Sequence, residues 1–134
     1  MMKISHVGIA VRDLAAAEAI FKKLLEDDRV HHEEVADQKV RIASFELGDS
    51  RIELTQPTES DSPISKFLEK RGEGIHHLAF EVEDVAAELA RLKAKGFELI
   101  DETPRPGSHH TRIAFLHPRS TNGVLIELCQ KEDH

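Results

Sequence analysis

Two histidines and two glutamates stand at matched places in this 134-residue chain. At an offset of 71 residues, His6 in "SHVGIAVRDLAAAE" overlies His77 in "IHHLAFEVEDVAAE", with Val11, Asp13 and Ala15-Ala16 falling on Val82, Asp84 and Ala86-Ala87. At an offset of 74, Glu53 in "RIELTQ" overlies Glu127 in "VLIELCQ". Imidazole and carboxylate together suit divalent first-row cations, and four protein ligands on an octahedral ion leave two positions for water or substrate. Two carboxylates offset a charge of +2, so a substrate oxyanion meets little repulsion. A lone His or Glu on a strand commonly faces water, but four residue types recurring at matched places do not arise from a face free to drift.

The elements that must position these groups follow the same repeat. Ile4 to Val11 alternates, with Val7, Ile9 and Val11 on one face and His6, Gly8 and Ala10 on the other, the period of a strand. Asp13 caps a helix whose apolar positions are Leu14, Ala17, Phe21 and Leu24. Val40 to Leu47 and Arg51 to Thr55 read as a hairpin about Gly48-Asp49-Ser50. The breaker-rich "QPTESDSP" precedes a short helix from Ile64 to about Lys70. The plan then repeats: a strand with His77 and Ala79 on one face and Leu78, Phe80 and Val82 on the other, an Asp84-capped helix stopped by Gly96, a strand Arg112 to Leu116, and a last strand Val124 to Gln130.

Strand, helix, strand, strand therefore occurs twice in one expected α+β domain spanning 1–134, with module one at about 1–60 and module two at about 74–134. Each first strand supplies a histidine beside small residues expected to leave open space. Each last strand supplies a glutamate between apolar residues that point the other way. Packed side by side, the half-sheets bring His6, Glu53, His77 and Glu127 to one metal-centred cleft. His76 competes with His77, but it lies on the opposite strand face and has Ser5 as its counterpart. His31, His32, His109, His110 and His117 fall in expected loops or turns, and substrate contact is open to His109 and His110.

Composition excludes other classes. Net charge is −7 with no basic block, and there are six Phe but no Tyr or Trp, which argues against nucleic acid as a partner. No apolar run reaches the length of a membrane span, and the N-terminus has no signal-peptide pattern, so a cytoplasmic setting is expected. Cys129, the only cysteine, excludes an intrachain disulfide and a thiolate cluster, and its apolar surroundings predict a packing role.

The stretches "HVGIAV", "IEL", "HHLAFEV" and "GVLIEL" resemble the vicinal oxygen chelate superfamily, which includes glyoxalase I, extradiol dioxygenases, fosfomycin-resistance proteins and bleomycin-binding proteins. Over nearly the whole chain, "SPISKFLEKRGEGIHHLAFEVEDV", "KAKGFELIDETPRPGSHHTRIAFLHP" and "HPRSTNGVLIELCQ" are most similar to the methylmalonyl-CoA epimerases of that superfamily. The resemblance implies two βαβββ modules and ligation of a divalent ion (Co, Mn, Ni, Zn or Mg) by His6, Glu53, His77 and Glu127. It also implies a CoA thioester substrate, a place in propionate metabolism and a homodimer. Two positions depart from some family members: Glu53 stands where a glutamine occurs, and Ile42 stands near a glutamate assigned to proton transfer.

The implied reaction removes the hydrogen between a thioester and a carboxylate and returns it from the other face. Glu127, a ligand with a second oxygen, is the expected base on one side. Glu46, His109 or a metal-bound water are candidates on the other. Glyoxalase I is the alternative enzyme, although "HPRSTNG" is longer than the short turn of that relative. A dioxygenase would use two His and one carboxylate, and a metal-free binding module would not need the four ligands.

Overall fold

The computed structural model describes residues 2–132, so residues 1, 133 and 134 of the expected 1–134 domain lie outside the described residues. The chain divides into two compact units, one holding His6–His76 and the other running from His77 onward together with the residues preceding His6. The short helix expected in the linker goes with the first unit.

The first module runs β1 (Lys3–Ala10), α1 (Leu14–Leu25), β2 (His31–Val35), β3 (Val40–Leu47) and β4 (Ser50–Pro57), followed by α2 (Pro63–Arg71). Its strands lie in the order β2-β3-β4-β1, antiparallel except for the parallel pair β1–β4. α1 starts where Asp13 leaves helical dihedrals and its carboxylate accepts from the Ala16 N–H at 3.1 Å. The Leu14 N–H donates to the side-chain oxygen of Gln56, at the end of β4, at 2.7 Å. Leu14, Ala17, Phe21 and Leu25 pack on Ala43, Phe45 and Leu54. Leu24, expected on this stripe, is 68% exposed, because Leu25 completes the spacing from Phe21. On the opposite sheet face, Ile64 and Leu68 of α2 cover Ala10, Val35, Val40 and Ile42.

The second module repeats the plan with β5 (Gly74–Glu81), α3 (Val85–Ala94), β6 (Arg105–Gly107), β7 (Thr111–Leu116) and β8 (Ile126–Lys131), ordered β5-β8-β7-β6 with β5–β8 parallel. Asp84 accepts from the Ala87 N–H at 3.1 Å, and the Gln130 side chain accepts from the Val85 N–H at 2.9 Å. Val85, Leu89 and Leu92 pack on Ala114, Leu116 and Leu128. Ala79, Ile113, Phe115 and Cys129 form the apolar cluster of the other face.

Each module is thus βαβββ, one strand richer than the residue pattern alone predicts. β2, "HHEEV", buries only Val35 and is an edge strand, so it carries no apolar alternation. β6 is three residues long with a proline, which an edge strand tolerates. β8 begins at Ile126 rather than Val124, whose N–H instead closes a turn onto the Thr121 carbonyl beside Gly123 at φ 84. Among the described residues, no helix is long and apolar enough to cross a membrane.

Candidate metal centre

In the first module, strand register places Gly8 opposite Glu53 and His6 opposite Arg51. His6 and Glu53 are each 2% exposed, with His6 Nε2 3.5 Å from Glu53 Oε1. Two residues before the glutamate on the same face, Arg51 donates from Nε to Glu53 Oε2 at 2.8 Å and from Nη2 to His6 Nδ1 at 3.4 Å. Guanidinium has donors only, so Nδ1 is the acceptor of the Arg51 contact and Nε2 is the ring nitrogen that faces the carboxylate. Ser44 lies directly across from Glu53 on β3, and its buried Oγ has no hydrogen-bond partner among the described residues.

The second module builds the same pair. Ala79 stands opposite Glu127, and His77 Nε2 is 3.4 Å from Glu127 Oε1, both residues buried. The surroundings differ. Leu125 occupies the position from which Arg51 reaches Glu53, and Phe115 occupies that of Ser44. The His77 ring meets Phe115 edge-on at 5.9 Å between centroids, and the Arg105 guanidinium carbon lies 5.6 Å from the centroid of the Phe115 ring while Arg105 pairs with Asp101 at 3.3 Å. Arg51 thus holds the first imidazole–carboxylate pair from a position that Leu125 occupies beside the second.

The remaining predicted residues separate clearly. His76 points to the other side of β5, edge-on to Phe67 of α2 with ring centroids 4.9 Å apart. Burial pushes its imidazole down to about 4, which keeps it neutral near pH 7. His31 and His32 are strand residues, not loop residues: His31 Nε2 lies 3.3 Å from Glu33 on β2, and His32 pairs with Glu18 of α1. His109 and His110 occupy left-handed backbone at φ 58 and 55, and His117 caps a short 3-10 turn by accepting the Arg119 N–H at 3.0 Å. Glu46 is exposed, while Ile42 is buried among the α2-covered residues. Cys129 is buried, as its apolar context predicts. Ala10 and Ala79 are fully buried, so the small residues beside the histidines permit close packing instead of leaving space.

Sequence reasoning passed over Arg51 and Ser44. Arg51 was visible as a basic residue two positions before a candidate ligand, which strand parity puts on the ligand's face. Ser44 required cross-strand register. The donor set fits a divalent first-row ion: each module offers an imidazole nitrogen and a carboxylate oxygen from buried, register-fixed positions. Burying such carboxylates is costly unless a cation or hydrogen bonds compensate them.

The model of the Glyoxalase/Bleomycin resistance protein/Dioxygenase superfamily matches residues 5–115. An ethylmalonyl-CoA/methylmalonyl-CoA epimerase of Cereibacter sphaeroides is 39% identical over 130 residues, covering 96% of this chain and 97% of its own. The crystal structure of methylmalonyl-CoA epimerase from Mycobacterium tuberculosis superposes with a TM-score of 0.91 at 41% identity, over 97% of this chain and 88% of that one. A methylmalonyl-CoA epimerase solved in complex with methylmalonyl-CoA and NH4+ gives a TM-score of 0.91 at 38% identity, over 98% and 95%. The duplicated βαβββ modules, with a buried imidazole and carboxylate at the same place in each, thus belong to a chain of the glyoxalase/bleomycin resistance/dioxygenase superfamily and, within it, of the methylmalonyl-CoA epimerase family of isomerases.

Proposed function

We propose that this protein interconverts the epimers of methylmalonyl-CoA, with His6, Glu53, His77 and Glu127 closing together on one divalent cation. The observation that carries the reading is the repetition, in two modules, of a buried histidine–glutamate pair with nitrogen–oxygen separations of 3.5 and 3.4 Å. When bound, the ion supplies Lewis-acid stabilisation of the negative charge that develops on the thioester oxygen.

The chain's own groups divide the remaining work. Glu53 has one oxygen held by Arg51 and serves as a ligand only. Glu127, with Leu125 where Arg51 stands in the other module, takes the α-hydrogen as a proton; the electron pair left on carbon delocalises into the carbonyl, giving a planar enolate. Return of a proton to the other face needs a second acid. Glu33 lies across from Ile42 on the ligand-bearing face of the first sheet, and it joins Glu46 and His109 as a candidate. Phe115, Ile113 and Ala79 give the second module's ligand face a dry, apolar lining that strengthens these electrostatic effects. Association of two copies, which the family resemblance implies, belongs to the same proposal and is read by sedimentation velocity.

The test is deuterium incorporation at the substrate α-carbon in heavy water, with and without chelator. Incorporation with inversion, lost on chelation and restored by Co2+ or Mn2+, is expected. Epimerisation without exchange, or exchange indifferent to metal, overturns the reading. The hemithioacetal of methylglyoxal and glutathione, the glyoxalase I substrate, should not turn over.

A further inference from the structure

We propose that Arg51 is a built-in counter-charge to Glu53, a positioning residue that leaves the loaded centre with net positive charge for an anionic substrate. The inference rests on the reading that the four ligands share one divalent cation, and adds to it what the asymmetry of the two modules implies. Arg51 is 13% exposed at its side chain and Glu53 is 3% exposed, so the pair is shielded from solvent. Its Nε–Oε2 hydrogen bond of 2.8 Å occupies one carboxylate oxygen, so that Oε1, 3.5 Å from His6 Nε2, is the atom that would ligate an ion. Glu53 thereby binds through one oxygen, and its charge is cancelled locally.

Two carboxylates alone would neutralise a divalent ion. With Arg51 included, the cluster carries one positive charge, which favours a substrate bearing a free carboxylate and a carbonyl that becomes an oxyanion. The second module has Leu125 at the corresponding position. Without metal the same pair keeps Glu53 from being a buried carboxylate facing only an imidazole, a costly arrangement.

The experiment titrates Co2+ alone into the metal-stripped full chain by calorimetry, for the natural protein and for Arg51→Met, Arg51→Lys, Glu53→Gln and the Arg51→Met/Glu53→Gln double variant. Removing the guanidinium charge should tighten Co2+ binding at least about tenfold, the factor that one unit charge about 5 Å from a divalent ion is worth even at the dielectric of water. Glu53→Gln should weaken it, the double variant should return close to the natural value, and Arg51→Lys should stay near it. In turnover, KM for methylmalonyl-CoA should rise in Arg51→Met with kcat less affected. If Arg51→Met does not fold while the double variant does, the same charge coupling has been read as stability.

Co2+ affinity unchanged or weakened in Arg51→Met, a double variant no nearer the natural protein than either single one, or Arg51→Lys behaving as Arg51→Met overturns the role of Arg51 alone. A natural protein that takes up no Co2+ overturns the metal reading, and this inference with it.

Discussion

Exchanging Glu127 for glutamine keeps a neutral oxygen donor but removes the proton acceptor. Turnover is expected to fall by about 10²–10⁴-fold, the usual worth of carboxylate proton transfer, and the residual exchange should be confined to one epimer. Glu33→Gln, Glu46→Gln and His109→Gln then identify the second acid: the variant that exchanges only the opposite epimer carries it. Both readouts are proton NMR signals at the α-carbon in heavy water. The candidate ligands were legible from one sequence because the chain states them twice. Arg51 was not, since Leu125 breaks the repeat at that position, and a residue without a counterpart stays silent in a comparison of halves. Ser44 was hidden for a different reason: its relation to Glu53 is a cross-strand register, which adjacent sequence does not carry.

Helix starts in both modules depend on two acceptors each, an aspartate one residue before the helix and a glutamine from the far end of the last strand. Asp13→Ala and Asp84→Ala should each cost about 1 kcal/mol, as for other N-caps. Gln56→Leu and Gln130→Leu should cost on the order of 1–2 kcal/mol by leaving a partly buried N–H unsatisfied; thermal denaturation checks all four. The cap aspartates were read directly from the sequence, and the paired glutamines were visible only as part of the repeat. β2 and β6 escaped because edge strands need no buried alternation, and Leu24 was misassigned because a helix stripe tolerates a step of three or four. At the start of β5, His76 gives a pH dependence. Its folded pKa of about 4 lies below the unfolded 6.5, so the unfolded chain binds the proton first. That contribution is complete above pH 6.5 and fades as pH falls toward 4, by roughly 2–3 kcal/mol. His76→Phe, with its ring edge-on to Phe67 as the imidazole is, should flatten this segment of the denaturation-versus-pH curve.

For the molecule as a whole, bound metal should act as a folding ligand. At a free concentration 100 times its dissociation constant, a divalent ion adds about 2.7 kcal/mol, so chelation should lower the melting temperature and Co2+ should restore it. A melting temperature indifferent to both would argue against a shared ion. The glutamine contacts have a consequence for assembly as well. Leu14 and Gln56 are 42 residues apart, and Val85 and Gln130 are 45. The opening amide of each helix finds its acceptor only after the rest of its module has threaded around to deliver it. First-turn amides ordinarily trade their hydrogens with solvent quickly. Those of Leu14 and Val85 should instead be among the slowest to do so, opening only when the entire module comes apart.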